Sequence, residues 1–114
     1  MAHYSFVVFT KPVPGRDEEF NAWYNGTHLP DMLKIEGFKE GQRFKILRGV
    51  PPLESPSWEY FALYQIETDD IAAVMKSLKT RLGTADLPLS DCIDLKNLNG
   101  FLVEAVAEPV KAKA

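Results

Sequence analysis

Residues 58–67 read WEYFALYQIE, and this stretch constrains the fold more than any other. It is rich in aromatic residues and follows a proline-rich segment. Together these features predict a β-strand from Trp58 to Glu67. Successive side chains of a strand point to opposite faces of the sheet. Phe61 and Leu63 belong to one face. The other face is also apolar and carries Trp58, Tyr60, Ala62, Tyr64 and Ile66.

A helix is predicted directly after this strand. Thr68 is a candidate N-cap, and Asp69 and Asp70 follow where acidic side chains complement the helix dipole. The helix is expected to end near Gly83. Apolar residues recur at spacings of three and four, as on the buried side of an amphipathic helix, at Ile71, Val74, Met75, Leu78 and Leu82.

The remainder of the C-terminal half contains one more strand. Residues 84–99 are interpreted as a loop with a short turn, in which Cys92 is a small buried apolar residue. A strand is predicted from Phe101 to Ala107. Residues 108–114 are polar or small and are expected to form a flexible tail.

The N-terminal half supplies two strands and a helical region. Residues 4–10, YSFVVFT, predict a strand that is apolar on both faces. Acidic residues then open a helix predicted from Asp17 to Asn25, which the Asn25-Gly26 pair should end or bend. A second helical piece is expected from Leu29 to Ile35, with a proline in its first turn. A strand over 38–47 and an exposed loop over 48–57 complete the region.

The order β-α-β-β-α-β predicts one α+β domain over residues 1–107, with a ferredoxin-like four-stranded antiparallel sheet. Two helices can cover only one face of such a sheet, yet the predicted strands are apolar on both. A second copy of the same sheet is the economical cover, which predicts a homodimer in the form of a dimeric α+β barrel. The alternative is a monomer whose aromatic side chains line a ligand groove.

Composition narrows the functional classes. The net charge is −3, and acidic and basic residues are interspersed, so a nucleic-acid partner is not expected. No apolar run is long enough to cross a membrane, and no signal peptide is visible, which predicts a cytoplasmic protein. The single cysteine and the two histidines are poor material for a metal site, and no phosphate-binding loop is present. No cofactor is predicted.

A family resemblance emerges around residues 20–44. The segment FNAWYNGTHLPDMLKIEGF contains a Trp-Tyr pair, then His-Leu-Pro, then Gly-Phe, and an Arg-Phe pair follows on the next strand. These features, with YFALY at residues 60–64, resemble the EthD-like family of the dimeric α+β barrel superfamily. The resemblance covers most of residues 4–107. It implies relatives such as cofactor-free monooxygenases, lactone isomerases and aromatic polyketide cyclases, and others that bind haem. It also implies a ligand cavity between the helices and the sheet or inside the barrel.

His28 is the candidate catalytic residue because it occupies the His-x-Pro position of the resemblance. The unperturbed pKa of histidine lies near neutrality, so an imidazole takes up and returns protons readily. Phe20, Tyr24 and His28 would share a face if the helix continued through Gly26. Asp31 could then orient the imidazole. In the structural alternative, His28 hydrogen-bonds a backbone carbonyl and holds a kink.

Four further residues are candidates for substrate binding, each with a structural alternative. Trp23 either lines the pocket or anchors the helix in the core. Tyr24 contributes a hydroxyl or an aromatic wall. Tyr64 lines the cavity or lies in the core or dimer interface. Arg43 holds a carboxylate or phenolate, or else pairs with Glu40 or Glu59.

The functional prediction is a small cofactor-independent enzyme. It would act on an apolar cyclic or aromatic oxygenated compound, with His28 transferring a proton as an isomerase, cyclase or monooxygenase of this type requires. Two alternatives remain open. One is a ligand- or haem-binding dimer without catalysis, and the other is a structural or assembly module whose groove is filled by side chains.

Overall fold

The structure, a computed structural model, describes residues 1–52 and 58–113. Part of the predicted loop over 48–57 therefore lies outside the described residues. The elements within them are β1 (Ala2–Thr10), α1 (Asp17–Trp23), a π-helical turn (Tyr24–His28), α2 (Leu29–Met32), β2 (Phe38–Lys45), β3 (Tyr60–Thr68), α3 (Ile71–Arg81), a 3₁₀ turn (Leu95–Asn97) and β4 (Asn99–Val103).

The four strands form one antiparallel sheet in the order β2-β3-β1-β4. The hairpin β2–β3 lies at one side, and β1 sits between β3 and β4. The two connections that carry the helices cross over a neighbouring strand and place the helices against the sheet. This is the predicted ferredoxin-like α+β fold.

The core lies between the helices and one face of the sheet. From the sheet, β3 contributes Tyr60, Ala62, Tyr64 and Ile66, which lie opposite Thr10, Val8, Phe6 and Tyr4 of β1. From the other side it receives Phe20, Tyr24, Met32, Ile35, Val74 and Leu78. The segment between α3 and the 3₁₀ turn adds Leu87, Cys92 and Ile93, so Cys92 is the buried apolar residue that the sequence predicted.

The opposite face of the sheet has no cover within the described chain. It carries a row of aromatic rings: Phe61 stacks on Phe44 at 4.7 Å between ring centroids, and Phe9 contacts Phe61 at 5.6 Å. Phe101 of β4 extends the row and is 51% exposed. The expectation of two apolar faces is therefore confirmed. We call this surface the open face.

Trp58 corrects one detail of the predicted alternation. The indole packs against Phe9 at 5.2 Å on the open-face side, not beside Tyr60. Its Nε1–H donates to the backbone carbonyl of Asn97 at 2.8 Å. The alternation fails here because β3 begins only at Tyr60, so Trp58 is outside the pleat that fixes side-chain direction.

The other corrections concern element ends. β4 stops at Val103 and α3 at Arg81, both earlier than predicted, and α2 is shorter than expected. Asp70, and not Thr68, caps α3, because its carboxylate accepts the N–H of Ala73 at 3.1 Å. No helix in the described ranges is long and apolar enough to span a membrane.

Candidate functional site

The site begins with a helix that does not stop where expected. The Asn25-Gly26 pair does not end it, and the backbone stays right-handed from Trp23 to Leu29. Instead the chain widens into a π turn, in which the N–H of Leu29 donates to the carbonyl of Tyr24, five residues back.

Proline explains the π turn. In a regular α-helix, residue 30 would donate its N–H to the carbonyl of Gly26, but Pro30 has no N–H and its ring clashes with that carbonyl. Widening the turn removes the conflict without ending the helix. Tyr24 and His28 stand at the two ends of this turn, and both are buried. The helical backbone thus continues through Gly26, and Tyr24 and His28 share one face of it.

The imidazole of His28 lies in an aromatic setting. It stacks on the indole of Trp23, with centroids 4.9 Å apart, and meets the ring of Tyr24 edge-to-face at 4.8 Å. Burial lowers its pKa to about 4, an effect that the charge of Asp31 partly offsets. The imidazole is thus neutral at physiological pH.

One nitrogen of this imidazole is unsatisfied. Nδ1 is buried and has no hydrogen-bond partner within the described residues. The carboxylate of Asp31, the candidate orienting group, accepts instead from Lys34 Nζ at 3.1 Å. A buried polar atom without a partner costs roughly 1–3 kcal/mol, which a structural residue would normally avoid. The structural alternative, in which this nitrogen binds a backbone carbonyl, is not what the geometry shows.

A cavity of about 120 Å³ lies beside His28, between the helices and the sheet. Its polar lining consists of His28, Tyr24 and Thr10. All other lining residues are apolar, namely Phe6, Val8, Met32, Leu78, Leu82, Leu89, Ile93, Leu98 and Gly100. Sequence reasoning missed Thr10 and the residues from 89 to 98, because no local pattern shows that this loop closes over the cavity.

A larger groove of about 360 Å³ runs along α3 at the end of the sheet. Charged and polar side chains dominate its lining, among them Glu36, Lys39, Glu67 and Arg81, and no histidine or tyrosine belongs to it. The smaller cavity is the better candidate because it combines an apolar wall with a few converging polar groups.

Tyr24 and Tyr64 form a buried pair behind the cavity. Their hydroxyl oxygens are 3.0 Å apart, and burial raises the pKa of both phenols. Tyr64 is fully buried on the helix-covered face, so it does not belong to the open face. It touches the cavity through Tyr24 and is not itself part of the lining.

Arg43 holds Tyr24 from the other side. Its guanidinium lies 4.4 Å from the centre of the Tyr24 ring and donates to the amide oxygens of Asn25 and Asn21 at 2.9 and 3.0 Å. The expected pairing with Glu40 or Glu59 is therefore wrong. Glu40 lies on the opposite face of β2 from Arg43, and Glu59 precedes β3, so neither carboxylate pairs with the guanidinium.

The structure thus sorts the five candidates. His28 and Tyr24 line the cavity. Trp23, Tyr64 and Arg43 surround those two residues and fix their positions. No cluster of three metal-ligating side chains occurs in the described parts of the chain.

No protein-family model matches this sequence, and no curated protein matches it at a significant level. Solved structures do match in fold. An EthD-like protein from Ralstonia eutropha JMP134 has a TM-score of 0.58 and 16% identity, over 96% of this chain and 97% of the other. An EthD family protein from Bacillus halodurans C-125 has a TM-score of 0.50 and 20% identity, over 93% and 100%.

A third structure is a mutant of MhuD with two manganese protoporphyrin IX molecules bound per active site. It has a TM-score of 0.61 and 13% identity, over 95% of this chain and 99% of the other. At such identities the likeness concerns the fold. The fold and the sequence motif around His28 both indicate the same likeness: the chain is similar to the EthD-like members of the dimeric α+β barrel proteins.

Proposed function

We propose that the chain is a small cofactor-independent enzyme that binds an apolar cyclic or aromatic oxygenated compound beside His28. His28 would exchange a proton with that compound. The observation that carries the proposal is the unpartnered Nδ1 of a buried histidine next to an apolar cavity. A ligand hydroxyl or acidic C–H in the cavity would supply the missing partner.

The lowered pKa defines what His28 can do. An imidazole whose pKa is about 4 is unprotonated at neutral pH and is available as a base or hydrogen-bond acceptor. It is a weak base, so the bound compound must carry an acidic position, such as a phenol or a carbon between two carbonyl groups. The protonated form is a correspondingly strong acid and gives the proton back readily. This behaviour suits an isomerisation or cyclisation in which a proton leaves one atom and returns to another.

The cavity limits the size of the compound. Its volume of about 120 Å³ is close to that of the ~150 Å³ apolar cavity known to accept benzene. A compound of about the size of a single ring suits this volume. A porphyrin does not, so no haem-dependent step is proposed.

The test compares turnover and binding in two histidine variants. Single-ring phenols and lactones are screened by thermal shift, and the compounds that bind are assayed for conversion. His28→Gln should lower turnover by about two orders of magnitude or more while the fold persists. His3→Gln is the matched control because His3 lies on the other face of the sheet, where it hydrogen-bonds Gln65, and does not line the cavity. Full activity of His28→Gln would overturn the mechanism.

A non-catalytic carrier of the same compound is the second candidate. The same apolar cavity and the same free nitrogen support it. Ligands that stabilise the wild type, with stabilisation lost in His28→Gln and no conversion detected, would favour the carrier. The assembly-module alternative is weakened because the groove beside His28 is not filled by side chains.

We also propose that the functional form is a homodimer joined through the open face. A continuous aromatic row runs there through Phe44, Phe61, Phe9 and Phe101. Contiguous exposed apolar surface on a sheet typically marks an interface. A second identical face would bury it by two-fold symmetry.

A further inference from the structure

Residues 104–113, which we call the C-terminal arm, do not pair with β1, although β1 extends further. β4 pairs with β1 from Asn99 opposite Phe9 to Val103 opposite Ser5, and pairing then stops. β1 itself continues to Ala2, and three more residues of the arm could have paired with it in the same register. An unpaired strand edge is a liability that proteins usually cover.

The arm carries apolar side chains into solvent. Val106 is 102% exposed and Val110 is 97% exposed, and every residue from 99 to 113 is exposed. Phe101, Leu102 and Val103 at the root of the arm are 51%, 41% and 42% exposed. A single exposed valine is ordinary, but here the apolar side chains follow one another along an edge strand and its extension.

The chain is more extended than a compact monomer of its length. Its radius of gyration is 15.4 Å, whereas a compact chain of this length has about 13 Å. Its accessible surface is 7932 Å², whereas a monomer of this mass has about 6,300 Å². Part of this surplus belongs to the arm itself, because residues 104–113 are all exposed.

The position of the arm indicates which partner it meets. Phe101 and Val103 lie opposite Val7 and Ser5 and point to the open face, so the arm starts at the border of that face. Whatever covers the open face lies next to the root of the arm. If the cover is a second copy, as proposed above, two-fold symmetry gives each copy an arm beside the other.

We propose that the C-terminal arm is exchanged, so that residues 104–113 of each copy pack on the other copy with Val106 and Val110 as anchors. This inference rests on the proposed dimer. Exchange would bury the exposed valines and add contact area without any new partner. It gives the tail a role in assembly.

The first experiment measures dimer dissociation by analytical ultracentrifugation of the full chain. The double variant Val106→Asp/Val110→Asp should raise the dissociation constant about tenfold or more, because it replaces two buried apolar anchors in each copy with charged side chains. The matched control is Lys111→Gln/Lys113→Gln, which alters the same arm but removes no apolar group. It should change the dissociation constant by less than about twofold, as expected for exposed charges.

The second experiment places a photo-crosslinking amino acid at position 110. A covalent species of twice the chain mass is expected after irradiation. Crosslinks confined to one chain, or a dissociation constant unaffected by the valine variants, would overturn the exchange while leaving the dimer in place. A wild-type chain that stays monomeric at all concentrations would overturn the proposed dimer, and the exchange with it.

Discussion

At the scale of single residues, the protonation of His28 links the site to stability. Burial lowers its folded-state pKa from 6.5 to about 4. Between pH 4 and pH 6.5, His28 is therefore protonated in the unfolded chain and neutral in the folded chain. The free energy of unfolding should therefore fall by up to roughly 3 kcal/mol as the pH drops from 6.5 to 4, with no contribution above pH 6.5.

Urea unfolding at a series of pH values tests this expectation. Carboxylates titrate in the same range, so the informative quantity is the difference between the wild type and His28→Gln. That difference should depend on pH below 6.5. A flat difference for His28→Gln would mean that the imidazole is accessible to protons in the folded protein.

The tyrosine pair behind the cavity is a second residue-scale case. Tyr24 and Tyr64 satisfy each other's hydroxyl groups in a buried position. Either single Tyr→Phe change leaves one hydroxyl unpaired and should cost about 1–3 kcal/mol. The double change removes both polar groups, so it should cost clearly less than the sum of the two single changes. A double-mutant cycle by urea unfolding measures this coupling, and additive costs would show that the hydroxyls do not depend on each other.

At the scale of elements, Gly41 sets the distance between the helical region and the sheet. A Cβ at this position would lie 2.9 Å from Leu29 Cδ1 and 3.0 Å from Tyr64 Cδ1. Gly41→Ala should therefore destabilise the protein by about 1–3 kcal/mol and displace the residues around the cavity.

Gly26→Ala in the π turn is the matched control. Nothing lies within 4 Å of a Cβ at Gly26, and alanine is favoured over glycine in helical backbone by roughly 0.5–1 kcal/mol. Thermal unfolding should therefore show a lower Tm for Gly41→Ala and an unchanged or higher Tm for Gly26→Ala. Equal effects at the two positions would contradict the close approach at Gly41.

At the scale of the whole molecule, the open face should control assembly. Leu63→Glu places a charge in the middle of this face, and burying an unpaired charge is costly. We expect this variant to be monomeric at concentrations where the wild type is dimeric, as measured by light scattering after size exclusion. Its Tm should also lose the dependence on protein concentration that a dimer shows.

Ala72→Glu on the exposed side of α3 adds the same charge away from the open face. It should leave the mass in solution unchanged. Dissociation caused equally by both variants would point to a general charge effect and away from the open face as the interface.

Local patterns along the chain were enough to predict the α+β architecture and the two apolar sheet faces. They placed Tyr24 and His28 on one side of the helix only on the condition that the helix continued through Gly26. These features follow from periodicity and from residue types that act locally. Alternation places Phe61 and Tyr64 on opposite faces, and spacing by four places Tyr24 and His28 together.

The surroundings of these residues became visible only in the folded chain. The π turn arises from a conflict between Pro30 and a carbonyl four residues away, which competes with the signal that Asn25-Gly26 gives for a helix end. The partners of Arg43 belong to a different element, and the loop over 89–98 closes the cavity from a distant part of the chain. Such contacts depend on how the elements dock in three dimensions, and no spacing along the chain records that.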